Sequence, residues 1–157
     1  MGLVCTIGYE GATVPAVLEA LREAKVELLV DIRAVASSRR PGFAKTALAA
    51  NVATIGVEYL HLRGLGTPTE GRAAARAGKH ADMRKIFLAH LATEQAQSQL
   101  STLTSIVRGG KRVCLLCFEA DAEHCHRTLV ANALAKNLRV EIVHLSPQTD
   151  SDEPHAK

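Results

Sequence analysis

The chain has 157 residues, 47% of them hydrophobic and 22% charged, with 19 Lys and Arg against 16 Asp and Glu for a net charge of +3. That length suits one domain with a sizeable buried core, and the mild positive balance permits an acidic or phosphorylated ligand without requiring one. Aromatic content is 3% with no Trp, which argues against stacking of bases on exposed rings, and no apolar run nears the roughly 18 residues of a membrane span.

The opening MGLVCTIGYEG lacks the basic region and long apolar core of a signal peptide. Gly2 and Thr6 fit a myristoylation pattern, but Leu3–Gly8 reads as a core strand, not as the free arm an acyl chain needs. Thr13 and Pro15 then open a helix with Val14, Val17, Leu18 and Leu21 on one face. ELLVDI, from Glu27 to Ile32, is a second strand. A loop rich in Arg, Ser, Pro and Gly leads into a short helix over Lys45–Ile55, and VEYLHL, Val57–Leu62, is the third strand. The glycine-punctuated stretch Gly64–Gly78 reads as a surface excursion or a flap able to close over a ligand. A helical pattern covers Ala81–Arg108 and stops at Gly109 and Gly110. Arg112–Phe118 is the fourth strand, His126–Asn137 a helix, and Arg139–Leu145 the fifth strand.

Strands alternating with helices predict an α/β fold. The expected form is a single three-layer domain over residues 1–145, with a mostly parallel sheet of about five strands flanked by helices. A flexible polar tail over 146–157 completes the chain. Ligand sites in such sheets lie outside the carboxyl ends of the strands. Those ends carry Tyr9 and Glu10, Arg33, His61, Glu119 and His144, with Cys125, His126 and Arg127 at the start of the following helix.

Three chemistries compete for this corner. Cys114 and Cys117 form a C-x-x-C within one strand, where residues three apart face opposite ways and cannot share an ion. Cys117, Cys125 and either His124 or His126 supply three ligands where a structural zinc wants four, so no metal and no cofactor is expected. A reactive thiol at Cys125 would benefit from a helix start and nearby positive charge, against the acidic loop of Glu119, Asp121 and Glu123. An anion site would use Arg33, Ser38, Arg39 and Arg127 with Tyr9 and Glu10, unless Arg33 and Arg127 merely pair with Asp31, Glu10 or Glu119. The four cysteines lack the pattern of a disulfide scaffold, which favours a reducing, cytoplasmic setting.

TIGYEG from Thr6 to Gly11, DIRAVASSRRPGF from Asp31 to Phe43, YLHLRGLGTP from Tyr59 to Pro68 and LLCFEADAEHCHR from Leu115 to Arg127 occur in this order. Together they resemble the domain-of-unknown-function family numbered 488, over roughly residues 3 to 145. The resemblance implies a compact α/β fold and a cytosolic protein of bacterial type, and it implies little about reaction. Its pattern falls on Gly8, Tyr9, Asp31, Arg33, Ser38, Arg39, Gly42, Phe43, His61, Leu65, Gly66, Cys117, Glu119, Cys125, His126 and Arg127. Ala36 departs from it, since similar sequences tend to have Pro there.

The expected function is an anion-binding cleft at the carboxyl edge of the sheet that binds or processes a phosphorylated ligand, a nucleotide or nucleic acid. Glu119 is the first acid/base candidate, followed by His61 and His126, with Cys125 as the nucleophile candidate. One alternative is a non-catalytic nucleic-acid or protein-binding module using Arg39, Arg40, Lys45, Arg63, Arg72, Arg76 and Lys79. The other is a thiol or metal redox-sensing site at Cys117 and Cys125.

Overall fold

The computed structural model describes residues 2–147; most of the expected tail, 148–157, lies outside the described residues. Five strands, β1 (Gly2–Gly8), β2 (Leu28–Asp31), β3 (Glu58–His61), β4 (Val113–Cys117) and β5 (Val140–Leu145), form one sheet in the order β3-β2-β4-β1-β5. All four pairings are parallel. Six α-helices cover it: α1 (Val14–Glu23), α2 (Lys45–Ala53), α3 (Thr69–Arg76), α4 (His80–Leu91), α5 (Glu94–Arg108) and α6 (His126–Asn137). The expected α/β architecture is therefore present.

The strand sequences explain the two covered faces. Successive side chains of a strand point to opposite sides, so Val113 and Leu115 enter a core with α4, α5 and α6 while Cys114 and Leu116 enter a second core with α1 and α2. β4 is buried at every position because it has apolar layers above and below. Thr13 starts α1 by accepting a hydrogen bond from the Ala16 amide at 3.2 Å, and Pro15 occupies the first turn, where its missing N–H costs nothing.

Two stretches depart from the sequence-based expectation. The helical pattern across 81–108 is two helices, interrupted at Ala92 and Thr93, where Thr93 caps α5 by accepting from the Ala96 amide. The threonine side chain offers the backbone an alternative to continuing the helix. The supposed flap at Gly64–Gly78 is ordered secondary structure: a single 3-10 turn at Arg63–Leu65, then α3. Gly71 packs its bare α-carbon against Thr67 and Ile86, which ties α3 to α4.

The chain parts at the carboxyl edge. After β2 it turns into α2 on one face, and after the neighbouring β4 it turns into α6 on the other. Neighbouring strands whose continuations diverge in this way leave a crevice between their ends. Beside it the backbones of β1 and β4 stay zipped, since the amides of Tyr9 and Glu10 donate to the carbonyls of Cys117 and Phe118. Gly8 permits this approach: a β-carbon there would sit 1.7 Å from the Glu119 carbonyl oxygen and 2.9 Å from Nη1 of Arg127. Gly8→Ala is expected to lower unfolding free energy by about 3 kcal/mol, measured by urea denaturation.

Candidate functional site

A cavity of about 210 Å³ opens in this crevice. Tyr9 follows β1, Arg33, Ala34 and Val35 follow β2, and Cys117, Phe118 and Glu119 end β4. Thr67, Arg72 and Ala75 come from the α3 region, Met83 from α4, and His124 and His126 from the chain entering α6. The strand-end rule thus brings Tyr9, Arg33, Glu119 and His126 to one rim.

Arg33 is held by its neighbour. Its Nε and Nη2 donate to the two carboxylate oxygens of Asp31 at 2.9 and 2.6 Å, and Nη1 donates to the Tyr9 hydroxyl at 3.1 Å. Both side chains are buried. Burial disfavours the charge on Arg33, but the hydrogen bonds and charge of Asp31 outweigh it and hold the guanidinium pKa above its ordinary value. Tyr59 also donates to Asp31, and burial followed by this carboxylate pushes its phenol well up. The charge of Arg33 is thus balanced before any ligand arrives.

Arg127, expected in the ligand-binding set, lies behind the cavity wall. It is 1% exposed and does not line the cavity. Nε donates to the Thr6 hydroxyl at 3.0 Å, Nη1 to the Glu119 carbonyl and to Cys117 Sγ at 3.2 Å, and Nη2 to the Ala120 carbonyl at 3.1 Å. Thr6, having accepted from Arg127, also hydrogen-bonds Nδ1 of His144 at 2.6 Å. Burial lowers the Arg127 pKa, and no carboxylate pairs with it among the described residues. It ties the end of β4 and the following loop to β1.

Four other candidate residues lie off the cavity wall. His61 Nε2 donates to the Arg33 carbonyl at 2.8 Å and lies off the cavity wall. Glu10 accepts from the Ala120 amide, and Ser38 from the Arg40 amide. Arg39 is exposed and off the wall. Arg40 turns inward instead, donating to the carbonyls of Tyr9 and Ala12 and lying over the Phe43 ring at 4.8 Å. Glu119 remains: it faces the cavity, and burial raises its carboxyl pKa, partly opposed by Arg127.

The largest surprise is sulfur. The sulfurs of Cys117 and Cys125, paired in the sequence only as a redox or metal alternative, lie at bonding distance. Cys5 and Cys114 are free and buried, and Cys114, turned to the opposite core, takes no part, as the strand geometry required. Cys117 lines the cavity, while Cys125 lines a separate groove with His80, Arg84 and Thr128. His126 lies beside them, with Nε2 on the Ile32 carbonyl at 2.8 Å and Nδ1 3.7 Å from Cys125 Sγ. A carbonyl only accepts, so Nε2 carries the proton and Nδ1 presents a lone pair. Burial keeps the ring neutral, its pKa lowered to about 4.

Sequence reasoning missed Met83, Thr67, Arg72 and His124 as wall residues. Their signal was faint: the Thr-Pro pair and Glu70 mark a helix start, yet the inner stripe of α3 is only Gly71, Ala74 and Ala75, small residues that resemble a loop composition. His124 bonds to Asp121 at 2.9 Å and stacks on His80 at 3.8 Å, closing one side.

A family model described as Domain of unknown function DUF488 matches residues 13–134. The chain belongs to the DUF488 family. No curated protein matches it, and no solved structure does. The matched span runs from the cap of α1 through the Cys-His-Arg start of α6, so it contains Arg33, Cys117, Glu119, Cys125, His126 and Arg127, while Tyr9 and the rest of β1 precede it. No described helix is long and apolar enough to cross a membrane.

For this DUF488 chain, Arg33→Ala strands the fully buried Asp31 carboxylate and is expected to cost about 3–5 kcal/mol. The Asp31→Ala/Arg33→Ala pair should lose less than the sum of the single variants, as read by a double-mutant cycle in urea.

Proposed function

We propose that the cleft carries out thiol–disulfide exchange with a small ligand, Cys117 meeting the ligand and Cys125 resolving it. The observation that supports this reading is the bonded sulfur pair with one sulfur on the cavity wall and a guanidinium against it. A cation hydrogen-bonded to sulfur favours the thiolate, which is the attacking form. In the reduced chain, Cys117 thiolate attacks one sulfur of a disulfide R–S–S–R′, forming a mixed disulfide and releasing R′S⁻. Cys125 then attacks Cys117 Sγ as thiolate and releases RS⁻, and the proton that Cys125 gave up leaves on that sulfur as RSH. The protein loses two electrons and the ligand leaves as two thiols.

Size and polarity narrow the ligand. Cys117 and Cys125 are 1% and 3% exposed, so the disulfide of a folded protein does not reach them, whereas a small molecule entering the cavity does. Val35 and Phe118, 53% and 43% exposed, put apolar surface at the mouth, suited to the organic body of such a ligand. Glu119, its carboxyl shifted toward the neutral form, is the group to protonate a departing thiolate.

The anionic, phosphorylated ligand is the second reading, favoured by Arg33 and Arg72 on the wall. It is the weaker one because Asp31 balances Arg33, and Arg72 already donates to the Thr67 carbonyl and the Thr69 hydroxyl. The nucleic-acid surface reading retains Arg39, Lys45, Arg63, Arg76 and Lys79, all exposed; it leaves the sulfur pair without a role.

Incubation of the reduced chain with bis(2-hydroxyethyl) disulfide, followed by intact-mass and peptide analysis, tests the exchange. Wild type should end as the Cys117–Cys125 disulfide, and Cys125→Ser should accumulate a mixed disulfide on Cys117. Cys117→Ser should react at least tenfold more slowly. A mixed disulfide on Cys125 instead, or protection of wild type by millimolar inorganic phosphate, would overturn the assignment in favour of another nucleophile or of the anion site.

A further inference from the structure

We infer that the reduced chain binds a borderline-soft divalent cation, typified by zinc, through Cys117 Sγ, Cys125 Sγ and His126 Nδ1, with the fourth position open to the cleft. This goes beyond the exchange reading and needs only that the two sulfurs be reduced. The three ligand atoms lie within 4.8 Å of one another, and all three residues are buried. They come from the end of β4 and the start of α6, two elements that α6 packing and the Arg127 bonds hold in register.

The second observation is the state of His126. Its ring is 7% exposed, and its Nε2–H is committed to the Ile32 carbonyl. Its Nδ1 lone pair is turned toward Cys125 Sγ, 3.7 Å away. An imidazole whose outer N–H is anchored on a backbone carbonyl, with the inner nitrogen turned toward sulfur, has the arrangement of a metal-bound histidine.

The spacing fits as well. Ligands at about 2.05 Å (nitrogen) and 2.3 Å (sulfur) at a tetrahedral angle are about 3.5 Å apart; Nδ1 and Cys125 Sγ are 3.7 Å apart. Once reduced, the two sulfurs have to separate to about 3.8 Å around a shared ion, a movement of side-chain torsions. Two thiolates balance a divalent charge, and Arg127 Nη1, 3.2 Å from Cys117 Sγ, adds a hydrogen bond to a ligand sulfur from outside. Soft sulfur donors select zinc or cobalt over magnesium and calcium. Three protein ligands next to a cavity match an open, reaction-competent site better than a closed structural one. Ion and disulfide exclude each other, because both use the same sulfur electron pairs.

Cobalt(II) titration of the full-length reduced chain under anaerobic conditions tests this. Wild type should develop sulfur-to-cobalt charge-transfer absorption and the visible bands of tetrahedral cobalt, saturating at one ion per chain and bleached by zinc. Cys125→Ser and His126→Asn should weaken binding at least 100-fold, and Cys5→Ala, outside the site, should bind as wild type does. Chain oxidised beforehand to the disulfide should take up none. Wild type without the charge-transfer band, or bands that persist in both site variants, overturns the proposal; the wild-type spectrum decides even where a variant fails to fold. A chain that exchanges disulfides but gives no cobalt spectrum loses only the metal site, and one that binds cobalt without exchanging loses only the exchange.

Discussion

Burying a guanidinium without a carboxylate beside it is expensive, and Arg127 does so at the centre of this corner. Its donors reach β1 through Thr6, the end of β4 through Cys117, and the following loop through two carbonyls. Neutral acceptors satisfy its hydrogen bonds but leave its charge largely in place, and that charge acts directly on a sulfur. Gly8 makes the arrangement possible, since any side chain there would occupy the space of the Glu119 carbonyl. The turn after β4, the exposure of Glu119 to the cavity and the approach of Cys125 to Cys117 all follow from this one side chain lying flat beneath the loop.

Arg33 shows the opposite arrangement a strand away. Its partner is a buried carboxylate two residues earlier, and Tyr9 and Tyr59 extend the pair into a network that includes the aromatic stack of Tyr9 on Phe43. The pair shapes one wall of the cavity while presenting little net charge to it. The two buried arginines thus divide the work: Arg33 fixes form on the wall with its charge neutralised, and Arg127 behind it keeps a field at the Cys117 sulfur.

The fold was legible because its signals are local. Five apolar runs and the Thr13–Pro15 start marked the strands and the first helix, and alternation in VCLLC predicted that Cys114 would turn away from Cys117. The convergence of Tyr9, Arg33, Glu119 and His126 followed from the strand-end rule alone. What the sequence hid is the choice of partner. Nothing local says that Arg33 takes Asp31 while Arg127 takes carbonyls, or that Cys125 swings back to Cys117, because these depend on how closely β1 and β4 approach. The wall made by α3 was hidden for a different reason: TEGRAAAR packs through Gly71, Ala74 and Ala75, and a stripe so small is easily read as loop.

Two consecutive peptide carbonyls, those of Ile32 and Arg33, are gripped by imidazoles from opposite sides, His126 from α6 and His61 from β3. In each case the gripping atom is a protonated Nε2. The ring of His126 thus holds a backbone carbonyl of the β2 loop on one edge and turns its lone pair toward sulfur on the other, so one side chain couples that loop to the start of α6.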